Sequence, residues 1–363
     1  MAKKQRTLEH RSALLDQISL YVKGFKRSPD FNEREDSTMS RNSNANTAKT
    51  MKAMMLPQFG GSDQFRLQHI ERPSPKPGEV LVRIAGTSVN PVDVAARAGK
   101  LQQMFPPERL PMLLGFDASG RVEELGQGVT DWKIGDAVYG FPQLDPGTFA
   151  EYVCLDADKV AAPPQSVALT DAGAIPLAAM TAWHGLMTQG EMQRGQRVLI
   201  QGGSGGVGHF AVQFAHRLGA TVYATASGKN QDFLRELGAD VAIDYNTDQL
   251  QELAGQMDLV FDLAFFKTEE QSWAALKPEG MLVMAAGQPH MDLARSPGQR
   301  GRFAMAQSTG DDLARVARMM DDDQVRLTIS ERFSLEQVGE AQDQLDRGGH
   351  RGKLLVAVPQ EQM

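Results

Sequence analysis

The residues best placed to do chemistry are three glycines. Gly203, Gly205 and Gly208 stand as GxGxxG within residues 198–214, Val-Leu-Ile-Gln-Gly-Gly-Ser-Gly-Gly-Val-Gly-His-Phe-Ala-Val-Gln-Phe. The pattern predicts a strand, a tight turn and a helix start. The first glycine makes the turn, the second lets backbone N–H groups reach a pyrophosphate, and the third lets the helix pack on the strand. The helix start then offers unpaired N–H groups and a positive dipole end to the anion. The expected cofactor set is Gly203, Ser204, Gly205, Gly206, Val207 and Gly208, with Gly287 further along. An isolated GxGxxG says little. This one follows a strand, opens an amphipathic helix and heads a strand series.

Loops of this kind that prefer NAD carry Asp or Glu about twenty residues on, to hold the ribose 2′-hydroxyl. Here that point reads Ala-Ser-Gly-Lys-Asn over 226–230. No carboxylate stands there to repel a 2′-phosphate, Ser227 can donate a hydrogen bond, and Lys229 brings a positive charge. NADP(H) is therefore the expected cofactor. Lys229 also reads as an ordinary solvated lysine at a helix start, so the missing acid weighs as much as the base.

The elements that must position this loop follow from periodicity. Strand-like runs recur at 197–201, 221–226, 241–244, 258–263 and 281–286, with helix-like runs at 206–218, 229–237, 247–255 and 269–276. Val207, Ala211, Phe214, Ala215 and Leu218 form one apolar stripe on the first helix. Thr268 with Gln271, and Ser334 with Gln337, resemble capping boxes. Alternation of this kind predicts a parallel doubly wound sheet, a Rossmann domain over 178–308. Before it, short strands punctuated by Gly and Pro run to about residue 163, a β-rich pattern. That second domain is placed over 52–177 and 309–363, with a final strand at 353–358. The fold class is α/β.

Residues 1–51 read as an extension. A helix fits residues 7–27, and residues 28–50 are polar enough to be disordered. An upstream start codon, a partner-binding helix and an organelle-targeting peptide all fit; Met39, Met51 and Met54 are alternative starts. The net charge of −7 disfavours nucleic acid as a partner, since neutralising phosphates takes a basic face. No stretch has the ~18 apolar residues of a membrane span. The single cysteine, Cys154, excludes an intrachain disulfide and a cysteine-built metal site, which suits a reducing, cytoplasmic setting. Cys154 lies in a strand-like run and reads as an inert thiol. His184 reads as a packed or partly exposed helix residue, and His209 as a polar residue facing solvent.

Several ordered segments over about 52–358 resemble the zinc-independent quinone oxidoreductases of the medium-chain dehydrogenase/reductase superfamily. They include 88–93 (Ser-Val-Asn-Pro-Val-Asp), 111–120 (Pro-Met-Leu-Leu-Gly-Phe-Asp-Ala-Ser-Gly), 135–140 (Gly-Asp-Ala-Val-Tyr-Gly) and 147–153 (Gly-Thr-Phe-Ala-Glu-Tyr-Val). Residues 181–183, the glycine loop, 238–240, 244–245 and 350–354 (His-Arg-Gly-Lys-Leu) continue the series. The resemblance implies that the β-rich domain is GroES-like and that the site lies in the cleft between the domains. It also implies a homodimer. Zinc alcohol dehydrogenases of the same superfamily place Cys, His and Cys where this chain has Asn90, Phe116 and Leu177, and none of these can supply a thiolate or imidazole. The four-cysteine structural lobe is also missing. No metal site is expected.

Without a Lewis acid, the chemistry implied is hydride transfer from NADPH to a small electrophile that accepts it readily, a quinone, enone or enal. Positioning would supply much of the rate, and hydrogen-bond donors would stabilise the developing oxyanion. By resemblance Asn90 lies at the substrate end, Thr181 near the nicotinamide, and Tyr245 beside the 2′-phosphate and adenosine. Tyr139 is a candidate proton donor, with a packing tyrosine at a strand end as the alternative. A cofactor-binding redox sensor or interaction module with little turnover is the rival from another class. No residue is obliged to act as a general acid, which keeps that rival open.

Overall fold

The computed structural model describes residues 50–142, 147–246, 248–264, 268–285 and 287–359. All but two residues of the extension read over 1–51, including the helix at 7–27, lie outside these; Thr50 and Met51 already belong to the first strand.

The β-rich region supplies β1 (Thr50–Leu56), β2 (Arg66–Glu71), β3 (Glu79–Ser88), β4 (Met112–Leu113), β5 (Ala118–Leu125), β6 (Ala137–Gly140), β7 (Tyr152–Asp156) and β8 (Val160–Ala161). β3 is its spine, antiparallel to β5 along one edge and, over Glu79–Arg83, to β7 along the other. Its run Val80-Leu-Val-Arg-Ile is almost wholly buried, because the strand is covered on both faces. Two glycines let backbones close on one another here. A Cβ on Gly86 would stand 1.9 Å from the Thr170 carbonyl oxygen, and one on Gly120 would stand 2.0 Å from that of Arg83.

The second region holds six parallel strands: β9 (Arg197–Gln201), β10 (Thr221–Ala226), β11 (Val241–Asp244), β12 (Met257–Asp262), β13 (Leu276–Met284) and β14 (Arg300–Phe303). Their order, β11-β10-β9-β12-β13-β14, is the 3-2-1-4-5-6 order of a doubly wound dinucleotide fold. The strand series expected from sequence has five members. The sixth, β14, is an edge strand of sequence Arg-Gly-Arg-Phe whose residues are exposed or half-buried, so no apolar run announces it. The helix expected over 247–255 is a short 3-10 turn, Asp248–Leu253.

Two final strands, β15 (Ile329–Ser334) and β16 (Lys353–Ala357), return the chain to the first region, where β16 pairs antiparallel with β3. Ser334 and Gln337 form the expected capping box ahead of the helix Val338–Arg347. The Thr268 side chain instead donates to Asp262 and does not cap the helix Glu269–Ala275. The helix Gly310–Asp321 lies beyond the expected boundary at 309, yet it buries Leu313, Val316 and Met320 against the same core as the Rossmann helices. Phe333, Val338, Leu354 and Val356 join the core of the β-rich region.

Candidate active site

The glycine loop runs from the end of β9 into the helix Gly208–Arg217, and its geometry separates the roles of its glycines. A Cβ on Gly208 would lie 2.2 Å from the Gly202 carbonyl oxygen, so this glycine is needed for the helix to approach the turn. A Cβ on Gly205 would meet only the Gly202 oxygen, at 3.5 Å. The room beside Gly205 is a cradle that a methyl group would fill, which fits a dinucleotide pyrophosphate lying over the loop. Ser204 accepts a hydrogen bond from the Gly352 N–H at 2.9 Å, and Val207 precedes the helix. Gly287 follows the C-terminal end of β13, on the sheet edge where the loop begins.

The helix after the loop is more enclosed than a single stripe requires. All eight residues from Gly208 to Ala215 are buried, including His209 and Gln213. The chain ahead of β15 covers their outer side: Gln213 bonds both the carbonyl and the N–H of Arg326, and the Thr328 N–H points at His209 Nε2 from 3.4 Å. His209 therefore does not face solvent as expected from its place in the first helical turn. It is buried, its Nδ1 lies 3.1 Å from the Gly205 carbonyl oxygen, and burial pushes its pKa down to about 4. A neutral ring donating through Nδ1 to the loop and accepting through Nε2 satisfies both contacts.

At the ends of β10 and β11 the structure gathers Ser227, Lys229 and Tyr245. Tyr245 donates its N–H to the Ala226 carbonyl, and the residue is 53% exposed. Lys229 is exposed and has no ion-pair partner among the described residues. Two features here were not read from sequence. Arg351 donates to the Lys229 carbonyl at 2.9 Å and to Asn230 Oδ1 at 2.8 Å, while its guanidinium covers the Phe233 ring. A second cation therefore stands over the turn. The other feature corrects the expectation of a turn without a carboxylate: Asp244 Oδ2 lies 2.6 Å from where a Cβ on Gly228 would be. That acid belongs to β11, so a search along β10 alone overlooks it.

At the other end of the loop, side chains from three segments and a backbone N–H from a fourth converge. Asn90 ends the bend after β3 and begins the helix Pro91–Arg97. Its Nδ2 donates to Asp117 Oδ2 at 2.8 Å and to the Ser88 carbonyl at 3.3 Å, and its Oδ1 accepts from Lys353 Nζ at 2.5 Å. Asp117 is buried and also accepts from Ser88 Oγ at 2.5 Å and from the Leu177 N–H at 2.7 Å. Lys353 Nζ lies 3.5 Å from Asp117 Oδ2, and Lys353 itself is 3% exposed. Burial lowers the Lys353 pKa, with Asp117 and Asp93 opposing. Asp93 accepts the Asn90 and Gly115 N–H groups, and its burial pushes its pKa up to about 8. Both ends of the Asn90 amide are thus engaged by protein, so its part is to orient its neighbours.

Thr181 lies on the helix Pro176–Trp183, one turn beyond Leu177, and its hydroxyl donates to the Leu177 carbonyl at 2.7 Å. Tyr139 is a correction. It is fully buried, its hydroxyl donates to the Leu313 carbonyl at 2.6 Å, and burial raises its pKa, so it packs and does not deliver protons. Cys154 is half-buried, and burial pushes its thiol up to about 12, which leaves little thiolate at neutral pH. His184 is buried between Asp312 and the Gln307 N–H. Lys353 and Asp117 lie in segments whose motifs were legible, yet their roles were not. The available signal was a lysine opening an otherwise apolar strand, Lys-Leu-Leu-Val-Ala.

The donor set does not fit a catalytic zinc. Asn90 offers an amide already bonded at both ends, Phe116 and Leu177 offer hydrocarbon, and an ammonium group stands beside them. Among the described residues, no three His, Cys, Asp or Glu side chains converge on a point that could hold a metal ion.

Comparison with known proteins agrees with this architecture. An alcohol dehydrogenase GroES-like domain matches residues 76–165, and a zinc-binding dehydrogenase model matches 237–356. The chain is 32% identical to the 2-methylene-furan-3-one reductase of Solanum lycopersicum, over 93% of this chain and 90% of that one. It is also 32% identical to the NADPH-dependent alkenal/one oxidoreductase, chloroplastic, of Arabidopsis thaliana, over 86% and 81%. The solved quinone oxidoreductase of Coxiella burnetii superposes with a TM-score of 0.80 at 33% identity, covering 86% of this chain and 100% of that one.

Proposed function

The chain belongs to the medium-chain dehydrogenase/reductase superfamily and is an oxidoreductase that uses a nicotinamide cofactor, and from that premise we propose that it reduces quinones or α,β-unsaturated carbonyls with NADPH and without zinc. One observation carries this reading. The glycine loop meets the β-rich region at a buried junction, with Gly352 bonded to Ser204 and Lys353 packed between Gly206 and Asn90. Fixed charge and hydrogen-bond donors are thus held within reach of the dinucleotide, where a metal would otherwise polarise the acceptor.

Bound NADPH would supply the hydride; the protein binds and orients the reactants and excludes water. Gly205 leaves room for the pyrophosphate, while Lys229 and Arg351 set two cations against the single carboxylate of Asp244 at the 2′-position. That balance favours NADPH over NADH. The electrophile class is supported by the relatives named for furanone, alkenal and quinone substrates. Zinc independence is supported by the chemistry of Asn90, Phe116 and Leu177.

The test is NADPH consumption by purified protein across quinones, enones and enals, with product analysis. Turnover of at least one class, with saturated carbonyl or hydroquinone formed in step with NADPH loss, is the expected result. Tight NADPH binding with no turnover on any member would instead favour a sensor or interaction role.

A further inference from the structure

Lys353 is the first residue of β16, and its position is unusual for a lysine. Its aliphatic part lies against the cofactor loop, since a Cβ on Gly206 would stand 3.0 Å from Lys353 Cδ. Its ammonium lies within the β-rich region and donates to Asn90 Oδ1 at 2.5 Å, with Asp117 Oδ2 3.5 Å away. Ser88, Asn90 and the Leu177 N–H hold Asp117 in place, so the ammonium faces a fixed carboxylate and a fixed amide oxygen. An ammonium has three N–H donors. Two can be directed to Asn90 and Asp117, and the third has no partner among the described residues. A buried ion pair by itself contributes little net stability over well-packed apolar side chains. Its place between loop and amide needs another account.

We propose that Lys353 is a catalytic residue, whose ammonium donates a hydrogen bond to the carbonyl oxygen of the acceptor and holds the negative charge of the enolate. This rests on the reading of the site as an NADPH-dependent enone reductase. Bound NADPH would supply the hydride that forms the new C–H bond at the enone β-carbon, and would be left as NADP⁺. The carbon–carbon π pair shifts toward the carbonyl, so the oxygen takes the charge that Lys353 faces. A solvent proton then adds at the α-carbon to give the saturated ketone. Lys353 keeps its proton throughout. Donors fixed before the reaction in a dry site are worth far more than in water. Asn90 and Asp117 are positioning residues: they aim the ammonium.

The test combines rate with two binding measurements. Lys353→Met should lower kcat for an enone roughly a hundredfold or more, the scale for losing one oxyanion donor. Its NADPH dissociation constant should change less than threefold, and Lys353→Arg should recover part of the rate. With NADP⁺ bound, 4-nitrophenol should bind wild type as the coloured phenolate and Lys353→Met as the neutral phenol. Removing the ammonium leaves the buried Asp117 without a counter-charge, so Lys353→Met combined with Asp117→Asn is the companion variant if the single one fails to fold. It should also lack turnover and phenolate binding. Wild-type kcat in either variant, or equal phenolate binding, would overturn the proposal. So would a large rise in the NADPH dissociation constant with kcat unchanged, which would make Lys353 a pyrophosphate anchor. If wild type itself reduced no electrophile, the enone-reductase reading would have failed instead.

Discussion

At the proposed adenosine end of the cofactor site, Ser227, Lys229 and Tyr245 come from one strand–helix–strand unit and lie near the surface. At the proposed reaction end, Ser88, Asn90, Asp117, Leu177 and Lys353 come from across the chain, and all but the half-buried Leu177 are buried. The first end works through exposed charge on a local turn, where screening weakens each contact and no single residue is indispensable to the fold. The second works through groups that satisfy one another away from water, where losing one leaves its partners unpaired. The glycine loop joins them, with Gly208 closed in by backbone and Gly205 left open where the pyrophosphate is proposed to lie.

The largest effect should separate those two glycines. Gly208→Ala places a methyl 2.2 Å from a backbone oxygen and should destabilise the protein by about 3 kcal/mol or more, read as a lower Tm without cofactor. Gly205→Ala should leave that Tm nearly unchanged while weakening NADPH binding more than tenfold, because its methyl enters open space. Equal Tm losses for the two would erase the distinction between packing and ligand glycines.

Next is His209, the buried link between the loop and the chain ahead of β15. Its pKa is 6.5 unperturbed and about 4 in the folded protein. As pH falls, the unfolded chain takes up this proton first. Stability present above pH 6.5 is therefore lost progressively as pH falls toward 4, by about 3 kcal/mol at the lower end. Wild type should lose Tm over that window more steeply than His209→Gln, which has nothing to titrate. Parallel curves would show that His209 is not held neutral.

The adenosine end should give the smallest change, and one confined to a single cofactor. A charge-assisted hydrogen bond contributes roughly 1.5–3 kcal/mol, so Lys229→Ala should weaken NADPH binding by roughly ten- to a hundredfold with NADH nearly unchanged. Ser227→Asp should go further by repelling the 2′-phosphate. Equal losses for both cofactors would place Lys229 at the shared pyrophosphate.

This contrast also explains what could be read in advance. The glycine loop and five of the six parallel strands are local patterns, and periodicity or glycine spacing exposes them. β14 escaped because a short edge strand carrying two arginines has no apolar run. Tyr139 sits in a recognisable strand-end segment, yet its hydroxyl bonds Leu313, far along the chain, which no local pattern reveals. Asp244 and Arg351 act on the turn from neighbouring elements, so the charge balance there needed the fold. Lys353 is the extreme case: its partner Asn90 is 263 residues away. Buried polar networks join residues by topology, and sequence spacing carries no record of that.

The central claim is that fixed protein groups, and no metal, activate the acceptor. The most direct measurement is the rate of NADPH-dependent enone reduction before and after exhaustive chelation, with zinc content determined on the same samples. An unchanged rate at well under one zinc per chain is the predicted result. A rate that collapses on chelation and returns when zinc is added back would contradict the account.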